Sequence, residues 1–543
     1  MDGMDMDMNS QETPYNANEP YANNLCTIIA SIIAFLTLRH LLTYKRSLPF
    51  YQPIENFVTN LLSFSFINFP VGAILLIIAL ASAILPLLLL NVDLKVNSNR
   101  AGFLGLALVP FILSSTGKNS AISMLTGISS VRLNFLHRTL SMALFLCVTV
   151  HMSCMLYSWS KFPSFMQSEL QLKKVQYGLT GYGCLCVVML GSFFLVRKLC
   201  YEAFVFTHIF AFAFIGTIAI HTPYAMRYFT VGLFCYVLNL IAVWLIKSHL
   251  GRARFQILSG GCTKVSIRLA SPMKNHSVGQ HINLCIPAIG SPFQWHPFTI
   301  TSINNSPNNN KVEVHVCSRG NFTRQLYDKM NPEQELTVFL NGPFGNTHIQ
   351  PEVVLDKYET VLIALGGAGV TFGARLLREL SSHLSQIDCS IRTRDIYVAW
   401  SVRRVSELEW FKQEFEQYNY SFNNHTDFPN LHLKFYITGI EDAPSDTPAN
   451  SEKEVREDIS IQELSNETNN LVGSHEKSLP TKDAHLVYQT RLQPKDYISL
   501  CKGETGIFVC GPKGFNSGFK NAIATLSIQK SSHIQAHYED FSY

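Results

Sequence analysis

Four histidines open the chemistry of this chain. His137 and His151 lie in one long apolar segment, His208 and His221 in another. A titratable side chain inside a hydrocarbon layer is costly unless it has a partner, and imidazole is a common metal ligand. Fourteen residues separate His137 from His151. That is nearly four whole helical turns, so both rings leave one face, roughly 21 Å apart at about 1.5 Å per residue. Two stacked iron centres at that spacing span most of a hydrocarbon core of roughly 30 Å. Thirteen residues separate His208 from His221, which on an ideal helix aims the rings at different faces; Thr222-Pro223 just beyond can distort the helix end. Core histidines hydrogen-bonded between helices are the other reading. Two pairs on two apolar segments favour haem iron, ligated from both sides by neutral imidazoles, one from each helix. Phe214 lies between the two levels, either between the haems or as one more packed aromatic.

Phosphate chemistry points to Gly366-Gly-Ala-Gly-Val-Thr371, which follows an apolar run and opens a helical pattern. Glycines let the backbone approach a phosphate, and the free N–H groups and dipole of a helix start favour its charge. It is not a full G-x-G-x-x-G, a weak signal alone. Arg403 and Arg404 follow the next strand. There an arginine meets the 2′-phosphate of NADPH, unless the pair is a solvated helix start. Cys510-Gly-Pro-Lys-Gly514 ends the last clear strand, at the carboxyl edge where ligands bind; an ordinary strand-to-helix turn reads the same.

The elements that position these groups fall into two halves. The chain has 543 residues, 47% of them hydrophobic, and a formal charge of +4, too small to suggest nucleic acid. Thirteen cysteines without a repeated C-x-x-C argue against a disulfide framework, and place the C-terminal half in a reducing compartment. Residues 1–24 form a polar, extracytoplasmic tail without a basic n-region, so not a secretory signal. Its Met and Asp residues could offer ligands to Cu(I), but a disordered tail is the better reading. Apolar runs at about 25–42, 70–91, 101–115, 134–158, 177–196, 203–222 and 226–247 give about seven spans in a haem-binding domain over 25–250. Basic residues on alternate connections, Lys45 and Arg46, Lys118 and Arg132, Arg197 and Lys198, Lys247 with Arg252 and Arg254, put those connections in the cytoplasm and the N-terminus outside. The two histidine helices then run parallel, pairing His137 with His208 and His151 with His221.

Beyond Leu250 the period becomes two. Lys264–Leu269 and Lys311–Val316 alternate strictly. With GQHINLCIP, HPFTITSI and LTVFL they predict an antiparallel β-barrel over 251–346. Thr360–Leu365 is a continuous apolar run suited to a buried parallel strand. Strands then alternate with helical segments, so 347–543 reads as a doubly wound α/β domain. An acidic, Ser/Asn/Thr/Pro-rich stretch at about 441–483 interrupts it as a disordered insertion.

His296-Pro-Phe-Thr299 resembles the flavin-binding signature of the ferredoxin-reductase-like superfamily, Arg319-Gly-Asn-Phe-Thr323 resembles its diphosphate segment, and Gly342-Pro-Phe-Gly345 fits the barrel exit. With the histidine spacing, the chain resembles the fungal ferric-chelate reductases, flavocytochromes b related to the membrane NADPH oxidases. The resemblance implies that His137, His151, His208 and His221 ligate two b-type haems. It implies that His296, Pro297, Phe298 and Thr299 bind FAD around its ring and ribityl chain, and that Arg319, Gly320 and Thr323 hold its diphosphate. Gly366, Gly367, Gly369, Val370 and Thr371 would form the NADPH loop, with Cys510 and Gly511 by the nicotinamide and Phe541, or else Tyr543, over the flavin. The implied activity carries electrons from cytosolic NADPH through FAD and the haems to extracellular ferric chelates or cupric ion at the plasma membrane, feeding a separate iron permease. No acid–base catalyst is assigned. A superoxide-generating oxidase shares every cofactor, and a transporter with a nucleotide-sensing domain is the rival from another class.

Overall fold

The computed structural model describes residues 17–45, 51–66, 69–117, 120–274, 276–289, 294–306, 309–329, 334–345, 349–385, 391–425, 428–439, 477–478, 484–488, 490–529 and 534–540. The chain divides into two compact units, Met1–Ser47 with Ala73–Ala242 and Leu48–Gly72 with Val243–Tyr543.

The first unit is helical: α1 (Glu19–Lys45), α3 (Val71–Leu89), α4 (Asn99–Ser114), α5 (Ala121–Thr126), α6 (Ser130–Ser160), α7 (Pro163–Gln171), α8 (Lys173–Gly191), α9 (Phe194–Leu199), α10 (Tyr201–His208), α11 (Phe210–His221) and α12 (Ala225–Ile246). Helix α2 (Tyr51–Ser63) and the short antiparallel pair β1 (Ser65–Phe66) and β2 (Phe69–Pro70) fall in the second unit. Glu19–Leu42, Val71–Leu89, Arg132–Ser160, Tyr201–His221 and Ala225–Ile246 are long and apolar enough to cross a membrane. Of the remaining apolar runs, α4 has 16 residues and α8 begins on Lys173 and Lys174. Few side chains on the five long helices are buried, as expected of surfaces solvated by lipid. The short α4 is the reverse. It is buried along nearly its whole length, with Leu104, Leu108, Leu144 and Phe229 among the residues of the core around it.

The second unit continues with a closed antiparallel barrel in the order β3 (Ser248–Leu258), β4 (Cys262–Leu269), β7 (Asn309–Cys317), β6 (His296–Ser306), β5 (His281–Cys285), β8 (Leu336–Phe344). The alternation in β4 follows from the pleat: Val265, Ile267 and Leu269 point into a core with Phe255, Val314 and Leu340, while Lys264, Ser266 and Arg268 point out. Helix α13 (Asn321–Lys329) lies between β7 and β8.

A seven-stranded sheet follows, ordered β12 (Lys477–Ser478), β13 (Ala484–Tyr488), β11 (Asn430–Ile437), β10 (Asp395–Val402), β9 (Thr360–Gly366), β14 (Thr505–Gly511), β15 (Ile534–Asp540). All pairings are parallel except β12 with β13. Every residue of β9 and β14 is buried, as central parallel strands require. The intervening helices are α14 (Pro351–Lys357), α15 (Val370–Leu384), α16 (Lys412–Asn423), α17 (Pro494–Ile498) and α18 (Lys513–Gln529). This is the barrel and doubly wound sheet that the sequence predicts. The insertion falls outside the described residues except for Lys477–Ser478, which form the antiparallel edge strand β12, and so do Phe541 and Tyr543.

Candidate functional site

Each of the four histidines is held at Nδ1 by a backbone carbonyl. His137 reaches Ile112 O at 3.1 Å, His151 Ser98 O at 3.0 Å, His208 Phe204 O at 3.0 Å and His221 Lys174 O at 2.8 Å. A carbonyl only accepts, so Nδ1 carries the proton and Nε2 keeps its lone pair for a metal. His137 lies within electrostatic reach of His208, and His151 of His221, so α6 and α10–α11 run in the same direction.

Helix α4 sets the spacing of the first pair. Its two accepting carbonyls, Ser98 and Ile112, are fourteen residues apart, the same interval as His137 to His151 on the helix packed beside it. Ile112 O lies in the last turn of α4, where carbonyls lack an intrahelical donor, and it also accepts from Ser115 Oγ at 2.9 Å. The thirteen-residue interval is accommodated differently. Helix α10 breaks from α11 at Ile209, where Ile209 N bonds Phe206 O and Phe212 N bonds Ile209 O, both three residues back. Such 3₁₀ bonding overwinds the chain, turning His221 toward the face of His208. The expected distortion at Thr222 is present too, as extended backbone. Gly178 completes the second cradle, since a Cβ there would lie 2.7 Å from His221 Nδ1. Phe214 is buried edge-on to Phe229.

In the barrel, His296 and Phe298 begin β6, and the His296 ring stacks on Phe322 of α13 with centroids 4.0 Å apart. Burial lowers the pKa of His296, and its buried Nε2 has no hydrogen-bond partner among the described residues, a group available to a flavin. Thr323 Oγ1 accepts from the N–H groups of Arg319 and Gly320 at 2.8 and 2.9 Å, fixing the turn that starts α13 and leaving the Arg319 side chain exposed. Pro297 and Thr299 are half-buried on the same strand.

The glycine loop sits at the carboxyl end of β9. Gly367 has φ +55°, which favours glycine, and Gly369 is buried where α15 begins. Thr371 Oγ1 donates to Ala368 O at 3.0 Å, beside the buried Val370. Gly366 and Gly511 face each other across β9 and β14: a Cβ on Gly511 would lie 3.3 Å from Gly366 Cα and 2.7 Å from Phe515. Two strand ends can therefore converge, bringing buried Cys510 beside the loop. Arg403 is exposed at the end of β10, its N–H donating to Glu407 Oε2 at 3.2 Å.

These sites coincide with known families. Residues 101–219 match the ferric reductase like transmembrane component, 250–348 an FAD-binding domain, and 358–524 the ferric reductase NAD binding domain. The chain belongs to the ferric reductase family. It is an integral membrane protein carrying FAD-binding and NAD-binding domains. Among its relatives, a probable cell surface ferric reductase of Aspergillus oryzae is 27% identical over 379 residues, 63% of this chain and 48% of that protein. A superoxide-generating NADPH oxidase heavy chain of Dictyostelium discoideum is 23% identical, over 66% of this chain and 69% of that one. Ferric/cupric reductase transmembrane component 2 of Saccharomyces cerevisiae is 21% identical, over 82% of this chain and 61% of that one. The chain thus spans about half the length of the Aspergillus relative.

Three residues near these groups were not singled out by spacing. Trp400, fully buried, donates its indole N–H to Gly367 O at 3.0 Å and so holds the loop. Arg378 Nη1 donates to Thr301 O of β6 at 3.1 Å, while its Nη2 pairs with Glu414. Arg375, 1% exposed and pushed down to about 10 by burial, donates from Nη2 to His276 Nδ1 at 3.0 Å. Helix α15, which opens on the glycine loop, is thus tied to β6 through Arg378 and to His276 through Arg375. Both arginines lie on α15, three residues apart, but nothing in the sequence names partners about 75 to 100 positions away.

Proposed function

We propose that the chain is a transmembrane NADPH-dependent ferric reductase, able to reduce cupric ion, that delivers electrons to metal chelates outside the plasma membrane and so supplies a separate iron permease. The observation that carries this reading is the set of four Nδ1-anchored histidines in two facing pairs. They would ligate two b-type haems, His137 with His208 and His151 with His221. Bound FAD would supply the exchange between a two-electron hydride and the single electrons that haem iron requires.

The chain's own residues bind and orient. Gly366, Gly367, Gly369, Val370 and Thr371 receive the NADPH diphosphate at the start of α15, where N–H groups and helix dipole favour negative charge. Arg403 pairs with the 2′-phosphate, and Cys510 with Gly511 borders the nicotinamide. His296, Pro297, Phe298 and Thr299 line the flavin, Arg319, Gly320 and Thr323 hold its diphosphate, and Phe541 covers its ring. Arg375 and Arg378 keep the two binding domains in register, so that hydride donor and acceptor meet. We assign seven spans, with the N-terminus outside and both nucleotide domains in the cytoplasm.

The test is purified full-length protein. A haem-to-flavin ratio of about two to one is expected from four axial imidazoles. His151→Ala should lose haem and ferric reduction; wild-type haem content in that variant rejects the assignment. A superoxide-generating reading draws support from the Dictyostelium relative. NADPH consumption that depends on ferric chelate and ignores superoxide dismutase favours the reductase, and a dismutase-sensitive signal without iron favours the oxidase.

A further inference from the structure

Helix α2 is amphipathic, and its two faces meet different surroundings. Asn60, 4% exposed, donates from Nδ2 to Ser527 Oγ of α18 at 3.2 Å and to Ile534 O of β15 at 3.5 Å. Just beyond the helix, Ser65 N donates to Asn521 Oδ1 at 2.8 Å and Asn521 Nδ2 donates to Ser65 O at 3.2 Å. This polar face is therefore seated on the last helix and strand of the nucleotide domain. On the other side, Phe57, Val58, Leu61 and Leu62 are between 36% and 44% exposed. Their spacing of one, three and one residues keeps them within one side of a helix. Phe69, 57% exposed, extends the apolar surface beyond it.

Chain continuity identifies what covers that surface. Helix α1 runs to Lys45, with five residues between it and Tyr51, and the span α3 starts at Val71, directly after Pro70. Five residues reach at most about 22 Å between their flanking neighbours. Both ends of the segment are thus held at one bilayer surface. A helix with an apolar face, a polar face and tethers at both ends meets the requirements for lying in the headgroup–acyl boundary.

We propose that α2 is an interfacial membrane-binding helix: Phe57, Val58, Leu61 and Leu62 insert into the lipid surface, while Asn60 and Ser65 hold α18 and β15 of the nucleotide domain. Ferric reduction is not needed for this, and its test does not depend on it. The occupant is lipid, not a second copy or another protein.

The test places 4-trifluoromethylphenylalanine at Phe57 in the full chain, reconstituted in phosphatidylcholine–phosphatidylserine vesicles, with the same label at Tyr420 as the water-facing reference (71% exposed). Fluorine line broadening is read with dissolved oxygen, which concentrates in lipid, and with a soluble gadolinium chelate. Lipid insertion predicts more oxygen broadening and less gadolinium broadening at position 57 than at 420. A position-57 signal matching position 420 overturns the proposal. Protection from both agents also overturns it, since that marks coverage by protein. The label keeps an aromatic side chain, so loss of folding does not confuse the result.

Discussion

A neutral imidazole ligates iron well only when its proton is kept on the other nitrogen, and here that task falls to main-chain oxygens. Backbone carbonyls cannot change charge or rotamer, so the four rings are fixed as firmly as the helices bearing the oxygens. The cradle at His221 is the tightest. Gly178→Ala would set a methyl 2.7 Å from Nδ1, whereas a Cβ at Gly102 lies 3.4 Å from the nearest ring atom of His151. Gly178→Ala should therefore lose one haem equivalent per chain, read as a fall in Soret absorbance relative to flavin, and Gly102→Ala should keep both. Nucleotide recognition separates in the same way. Arg403→Ala would remove the proposed charge-assisted contact with the 2′-phosphate, about 1.5–3 kcal/mol, so KM for NADPH should rise roughly tenfold or more while KM for NADH barely moves. Trp400→Phe deletes the donor to Gly367 O and loosens the loop for both nucleotides, so both KM values should rise together.

At the scale of elements, periodicity made much of the fold legible. Strict alternation marked β4 and β7, continuous apolarity marked β9, and glycines marked the turn into α15, because local burial dictates each pattern. What the sequence hid depends on distant partners. No Pro or Gly announces the overwound turn at Ile209, and Asn60 on α2 reads as a solvated residue until α18 lies beside it. Asn60→Ala would leave Ser527 Oγ and Ile534 O without their donor, costing about 1–3 kcal/mol; faster hydrogen exchange confined to α18 and β15 is the expected readout. Barrel stability has a pH signature. Burial holds His315 down to about 3, with its Nδ1 3.1 Å from Thr301 Oγ1 and its ring against Phe411. In the unfolded chain the same group titrates near 6.5. Its contribution is complete above about pH 6.5 and is lost as pH falls toward 3, because only the unfolded chain takes the proton. Relative to wild type, His315→Gln should flatten the fall in stability across that window by up to ~1.4 kcal/mol per pH unit.

Across the whole molecule, the acidic insertion tests how the nucleotide sheet is threaded. Strand β13 lies parallel to β11, so the chain leaving Ile437 must return to the level of Leu433 before Ala484 begins. Removing 441–483 leaves residues 438–440 to cover four residues of strand, about 13 Å, plus one strand spacing of about 4.8 Å. Three residues reach at most about 14 Å between their flanking neighbours, with nothing left for reversing direction twice. Removing only 441–476 retains β12, which runs antiparallel to β13 and serves as the return leg. The shorter deletion should keep NADPH-driven reduction and thermal stability near wild type, and the longer one should lower both and raise KM for NADPH. Equal behaviour of the two deletions would mean that β12 has no part in the return. Loss of activity in the shorter deletion alone would mean that residues 441–476 act on the reaction itself.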